Sequence, residues 1–196
     1  MIIGLTGGIA SGKTEVSRFM EKLGAEIIDA DRIAHQVLQE NEEARKELLK
    51  VFGEAIINNR GDIDRGILGE LVFSNLEEKK KLEEIVHPII IKKIKEDLEE
   101  LKKRKKIIIL DLPLLYEAGL EWLVDEVWVV YCDEKTQRER LQRRDGLTIE
   151  QAQQRIASQL SLSEKCRQAD RVINNSGSKD ELRSKIIFLW RDINED

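Results

Sequence analysis

The stretch that decides the fold is Gly4–Val16, "GLTGGIASGKTEV". It places glycine at positions 4, 7, 8 and 12 and then presents Lys13 and Thr14. Gly7 to Thr14 match G-x-x-x-x-G-K-[ST] in full. Glycine permits backbone dihedrals that a Cβ forbids, so successive amide N–H groups can turn toward one anion. A helix that starts directly afterwards sets its positive end against the same anion. A lysine at 13 reaches β- and γ-phosphates, and a hydroxyl at 14 ligates Mg²⁺. The flanks agree, with an apolar run at Ile2–Leu5 before the loop and an amphipathic pattern at Glu15–Leu23 after it. The competing reading is a tight glycine turn followed by a chance Gly-Lys-Thr.

Outward from that loop, Ala25–Ile28, Ile107–Leu110 and Val127–Tyr131 are short, apolar and rich in β-branched residues, and Arg171–Ile173 is a weaker run. None alternates, which suits a parallel sheet covered on both faces. Helical patterns separate the runs, among them Arg32–Leu38 and Lys179–Ile193. The expected fold is α/β, a doubly wound parallel five-stranded sheet.

Two intervals break the strand–helix rhythm. Ala30–Lys106 is far longer than a simple crossover needs and is mostly helical in pattern, so it reads as an inserted helical subdomain. "GDIDRG" at Gly61–Gly66 marks a turn inside it. Pro88 is expected to bend or interrupt the helical run Leu82–Leu101. The charge-dense Glu96–Lys106 reads as a solvated helix face. The second interval, Glu134–Asp170, carries Arg138, Arg140, Arg143, Arg144 and Arg155 and reads as two helices around the turn "RDGLT".

The totals bound what this fold serves. The chain has 196 residues, 41% hydrophobic and 36% charged, which describes a soluble globular protein. No apolar run approaches the ~18 residues of a membrane span, and no signal peptide is expected. The net charge of -5 argues against a general nucleic-acid binder. Two cysteines, Cys132 and Cys166, and two histidines make a structural zinc site a poor fit and a reduced, cytoplasmic compartment the expected one. Neither cysteine has a visible activating partner.

The reaction is sought in carboxylates at strand ends, because ligands of open α/β sheets bind there. Asp29 and Asp31 follow an apolar run directly. Either can accept a proton from an acceptor hydroxyl, and either can simply cap the next helix. Asp111 ends the most apolar run, where an acid faces a nucleotide-bound metal; its plainer role is a turn or cap beside Pro113. Glu117 is a weaker candidate. Arg140 and Arg144 lie one helical turn apart and share a face, suited to charge spreading over a transferring phosphoryl group or to surface pairing with Glu139 and Asp145. His87, before Pro88, is a candidate substrate contact or a packing residue. His35 reads as structural, and Trp122, Trp128 and Trp190 as core or interdomain packing.

Taken in order, "GLTGGIASGKT", "DADRIAHQVL", "DRGILGELVF", "IVHPIII", "LDLPLLYEAG", "RERLQRRDGLTIEQAQQRIASQ" and "EKCRQADRVINNSG" resemble the dephospho-coenzyme A kinases over nearly the whole chain. The first segment is generic to phosphate-loop proteins; the combination is specific. The resemblance implies a P-loop kinase fold with a nucleotide-binding core of residues 1–30, 106–134 and 166–196. It implies a helical substrate domain at 31–105 and a helical lid at 135–165. It implies transfer of the γ-phosphoryl of ATP, with Mg²⁺, to the ribose 3′-hydroxyl of dephospho-coenzyme A, the last step of coenzyme A synthesis.

The implied ATP contacts are Gly8, Ala10, Ser11, Gly12, Lys13, Thr14 and Glu15, with Arg140 and Arg144 from the lid and Asn175 near the adenine. Asp31 would be the base, with Lys13 and Arg140 as its catalytic partners and Asp29 as support. Arg65, His87, Asp31 and Asp111 would meet the substrate. Thr14 and Asp111, the latter directly or through water, would hold Mg²⁺. Ala10 stands where the family often has glycine, with little consequence expected. Arg138 stands where the family is often apolar and receives no role. A monomer acting on a small molecule, with no nucleic acid or membrane partner, is expected. The rival readings are a kinase acting on a nucleoside monophosphate or a sugar, and a GTPase switch. The switch would need Asn-Lys-x-Asp and Asp-x-x-Gly, and neither is present.

Overall fold

The structure, a computed structural model, describes residues 1–73, 75–103 and 107–194. The end of the charge-dense stretch, 104–106, lies outside the described residues. Contacts divide the chain into two compact units, Met1–Ile28 with Leu101–Asp196, and Asp29–Glu100.

The first unit is built on the sheet. Its strands are β1 (Ile2–Gly7), β2 (Glu26–Asp29), β3 (Ile108–Asp111), β4 (Glu126–Tyr131) and β5 (Arg171–Asn174), in the order β2-β3-β1-β4-β5. The sheet is all-parallel, as the unalternating apolar runs predict. Registers pair Leu5 with Asp111, Gly7 with Val130 and Tyr131 with Asn174. The chain moves from β1 out to β2 at the edge, returns to β3 beside β1, then crosses to the other side of β1 for β4 and β5. The reversal opens the crevice at the carboxyl end of β1 where α/β sheets place ligands. Gly7, Asp111, Tyr131 and Asn174 all arrive at that end.

Helix α1 (Lys13–Lys22) and the last helix, Lys179–Asp192, cover the sheet. Val16, Met20, Leu182 and Ile186 pack on Ile3, Leu5, Ile109, Trp128, Val130 and Ile173. Removal of apolar surface from water, worth ~25 cal/mol per Å², is what holds these layers. Trp128 is in this core, and Trp190 packs against it. Trp122 departs from expectation, because at 58% exposure it is not a core residue.

The second unit comprises α2 (Ala30–Glu40), α3 (Glu42–Phe52), a 3₁₀ turn at Glu54–Ile56, α4 (Arg65–Phe73) and most of α5 (Leu76–Lys102). Leu48, Ile56, Ile63, Leu68 and Val86 form its own core. The turn lies at residues 59–62, earlier than the expected 61–66, and Ile57 and Ile63 form a single antiparallel bridge across it. Pro88 does not interrupt α5, which runs through it. A proline forfeits one intrahelical bond, and buried Val86 and Ile94 on either side anchor both halves.

The interval after β4 holds three helices where two were expected: α6 (Glu134–Asp145), α7 (Ile149–Ala157) and α8 (Leu162–Gln168), with α9 (Lys179–Asp192) following β5. Gly146 closes α6 at φ 67, and Thr148 opens α7 with a capping box to Gln151. Ser161 then caps α8 by accepting from Glu164 N, so a fresh helix starts where the polar pattern reads as one continued segment.

Candidate active site

The loop between β1 and α1 is shaped by what surrounds it. Ser11 N donates to Gly8 O at 3.1 Å, closing a tight turn. A Cβ on Gly8 would lie 2.6 Å from Gln137 Nε2 and 2.9 Å from Leu162 Cγ. Gly12 has φ 95, and a Cβ there would strike the Asn175 amide. Gly12 therefore demands glycine, and a side chain at Gly8 would have to displace Gln137 and Leu162. Asp29, Asn41, Asp133, Thr148, Ser161 and Ser178 cap α2, α3, α6, α7, α8 and α9 with side-chain acceptors. Helix α1 begins at Gly12 with no capping side chain. Its positive end is thus left for an external anion.

Ala10 is at φ 60, the one non-glycine residue with positive φ among the described residues. That conformation costs an L-residue about 1–2 kcal/mol. Alanine at this positive φ has a local cost that its small size did not announce.

Charged groups converge on this loop. Lys13 Nζ forms an ion pair with Asp111 Oδ1, and Asp111 is buried at the end of β3. Arg140, on α6, donates from Nη1 to Ser11 O at 3.4 Å and from Nη2 to Asn175 O at 3.0 Å. Asn175 is buried, donates from Nδ2 to Ser11 O at 2.8 Å, and donates its N–H to Tyr131 O at 2.7 Å. Lys13, Asp111, Arg140 and Asn175 are therefore gathered around Ser11–Lys13. Thr14 and Glu15 are exposed on the first turn of α1, with Glu15 3.5 Å from Lys179.

Arg144 lies elsewhere. It pairs with Asp145 at 2.7 Å, and Asp145 pairs with Arg155 at 3.0 Å, on a solvent-exposed corner. Glu117 accepts from Leu160 N at 3.0 Å and pairs at 2.8 Å with Lys165, which is fully buried. Lys165 and Thr6 Oγ1 both donate to Pro113 O at 3.0 Å, pinning the turn that follows Asp111. The Cys132 thiol is pushed up to about 11 by burial, so it stays protonated near neutral pH and is no nucleophile.

In the second unit, Asp29 caps α2 by accepting from Arg32 N at 3.0 Å, while Asp31 sits exposed in the first turn of the same helix. Of the two acids, Asp29 is the one that takes the capping role. Arg65 contacts His35 Nδ1, which gives His35 a structural partner, and His87 is exposed on α5.

Sequence reasoning missed Gln137, Gln159 and Lys165. Gln137 is buried and donates from Nε2 to Ile9 O at 2.7 Å, and Ile9 N donates to Gln159 Oε1 at 2.8 Å. In the sequence, the one signal was that Gln137 stands one helical turn before Leu141, on the apolar face of α6.

A five-stranded parallel sheet with this loop at its reversal point is the architecture of P-loop kinases. The structure of a shikimate kinase from Acinetobacter baumannii superposes with TM-score 0.54 at 20% identity, covering 99% of this chain and 93% of that one, which fixes the fold alone. Sequence narrows the class. The family model "Dephospho-CoA kinase" matches residues 1–181. A dephospho-CoA kinase from Geobacillus kaustophilus is 46% identical over 192 residues, 97% of this chain and 96% of the relative. The structure of the dephospho-CoA kinase from Campylobacter jejuni has TM-score 0.78 at 35% identity, covering 99% and 97% of the two chains.

The chain belongs to the dephospho-CoA kinase family, whose members phosphorylate dephospho-CoA with ATP in the final step of coenzyme A biosynthesis. Among the described residues no helix is long and apolar enough to cross a membrane.

Proposed function

We propose that this chain transfers the γ-phosphoryl of ATP to the 3′-hydroxyl of the ribose of dephospho-CoA through the groups gathered at Ser11–Lys13. Amides of residues 10–14 and Lys13 hold the β- and γ-phosphates, with Gly8 and Glu15 flanking the cradle. Lys13 exchanges its carboxylate partner for phosphate oxygens. Arg140 and, released from Asp145, Arg144 meet the transferring group, and Asn175 lies by the adenine. Asp31 takes the acceptor proton. The ribose oxygen bonds to the γ-phosphorus, the bond from that phosphorus to the β,γ-bridging oxygen breaks, ADP leaves with the electron pair, and the hydroxyl proton passes to the Asp31 carboxylate. Arg65 and His87 contact the substrate within a substrate domain at 31–105, and 135–165 acts as the lid of a cytoplasmic monomer.

The donor set fits Mg²⁺. Among the described residues no cluster of three or more ligating side chains exists, but Thr14 offers a hydroxyl and Asp111 a carboxylate. An ion that keeps water and phosphate oxygens as its main ligands needs only one or two protein groups. When bound, it would neutralise charge on the β- and γ-oxygens; this chain's own part is positioning and a preset field.

The observation that carries the reading is the pairing of Lys13 with Asp111 beside a loop whose Ser11 carbonyl is gripped by Arg140 and Asn175. The test incubates the chain with ATP, Mg²⁺ and dephospho-CoA and detects the phosphorylated product by mass. Asp31→Asn is expected to lower turnover by roughly 10²–10⁴-fold, the range for a lost general base, with ADP affinity kept. Near-normal turnover removes Asp31 from the role. Chelation with EDTA should abolish turnover and added Mg²⁺ restore it.

A further inference from the structure

The backbone of Ile9 is held on both sides by glutamines, through the two peptide groups that flank its Cα. Gln137, at the start of α6, donates to its carbonyl at 2.7 Å, and Gln159, between α7 and α8, accepts from the N–H at 2.8 Å. Ser11, two residues on, has its carbonyl held by Asn175 at 2.8 Å and Arg140 at 3.4 Å. Between these grips sits Ala10 at φ 60. An L-residue stays in that region only where its surroundings over-determine it. The neighbouring peptides are fixed by side chains far away in sequence, and the strained residue lies where they meet.

We infer that Gln137 and Gln159 are positioning residues that hold Ala10 in its left-handed conformation and so preset the phosphate loop for nucleotide. They touch neither substrate in this role; they act through the Ile9 backbone. Position 10 is an alanine at positive φ, so this chain depends on the clamp more than a loop with glycine there would. With Ala10 the released loop has a steric reason to leave the left-handed region; with glycine it has none. The inference rests on reading the loop as the ATP phosphate cradle, and the experiment separates the two.

ADP affinity of the whole chain is measured by calorimetry, and KM for ATP and for dephospho-CoA by steady-state kinetics. Gln137→Met and Gln159→Met keep side-chain length and remove the hydrogen bond. Each is expected to weaken ADP binding and raise KM for ATP by about 3- to 10-fold, the equivalent of one lost hydrogen bond, while KM for dephospho-CoA stays put. Placed in an Ala10→Gly background, the same changes are expected to cost no more than about twofold, because glycine does not disfavour positive φ.

A packing role alone would lower thermal stability and leave the penalty equal in the two backgrounds; equal penalties overturn the inference. Gln159 is only half-buried, so its variant keeps the test standing if Gln137→Met does not fold. Undiminished ADP affinity in Gln159→Met overturns the clamp alone. Undiminished affinity in Lys13→Ala overturns the phosphate cradle and the clamp with it.

Discussion

Arg140 and Arg144 are four residues apart on α6, and the helix places them differently. In its middle, Arg140 is bonded to the carbonyls of Ser11 and Asn175, and nearer the base Gln137 reaches Ile9. At its tip, Arg144 pairs with Asp145 in an exposed network with Arg155, the two arginine side chains being 58% and 54% exposed. Helical spacing put both arginines on one face. What separates them is what the face meets along its length: the phosphate loop near the base, water at the tip. A shared helical face is therefore a statement about direction, and it sets no distance to a site.

Between these two arginines, the larger effect should come from Arg140→Ala. Loss of a preset charge beside the transferring group is expected to lower kcat/KM for ATP by about 100-fold or more. Asn175 O also loses its side-chain donor, so the unfolding free energy without nucleotide should fall by about 1 kcal/mol. Arg140→Lys should recover little, because a point charge does not span two carbonyls as a planar fork does. Chemical denaturation and steady-state kinetics read the two effects. A variant with normal kinetics and lowered stability would make Arg140 a brace and nothing more.

Arg144→Ala should split the same two readouts. Its exposed pairs contribute little, so unfolding free energy should change by less than about 0.5 kcal/mol. If Arg144 reaches phosphate in the closed state, kcat should fall by about tenfold, or about 1.4 kcal/mol of barrier. Unchanged kinetics would confine Arg144 to the surface network and leave the base of α6 as the whole of its contribution.

The same contrast explains what the sequence made legible. The phosphate loop was readable because its chemistry is local: Gly7 to Thr14 contain their own reasons. Asp111 was readable because a strand end has a fixed place in a parallel sheet. Asp29 and Asp31 were readable as a pair, and the cap at Asp29 leaves Asp31 as the acid not used as the cap acceptor for α2. Gln159 was not readable, because its partner Ile9 is 150 positions away, and nothing in "RIASQ" points to it. Lys165 looks like one more lysine until the fold buries it against Glu117 and Pro113. Pro88 shows the opposite limit: of the bend or interruption that the local rule expects, the interruption does not occur, with buried Val86 and Ile94 on either side.

The smallest expected effect separates the ends of α6 by salt. Asp133 caps its base, and the Thr136 backbone N–H, at 2.8 Å, followed by the Thr136 hydroxyl, at 2.7 Å, holds its carboxyl below the usual range. Asp145 ends the tip, and its hydrogen bond from Arg144 does the same there. A carboxyl lowered on folding contributes stability that is present above its unfolded value of ~3.9 and is lost as pH falls through the lowered folded value. Both ends of α6 should therefore weaken on the acid side, and Asp133→Asn or Asp145→Asn should each flatten that slope in urea midpoints taken from pH 6 down to 2. The causes differ. A bond from an N–H and a hydroxyl is short-ranged and neutral on the donor side, whereas the Arg144 and Arg155 pairs are exposed charges that ~1 M salt screens within about 3 Å. In ~1 M NaCl, Asp145→Asn should lose most of its effect on the acid slope while Asp133→Asn keeps its own. Equal salt responses at the two positions would mean that the tip is as enclosed as the base, and Arg144 would then have to be reckoned with the phosphate loop after all.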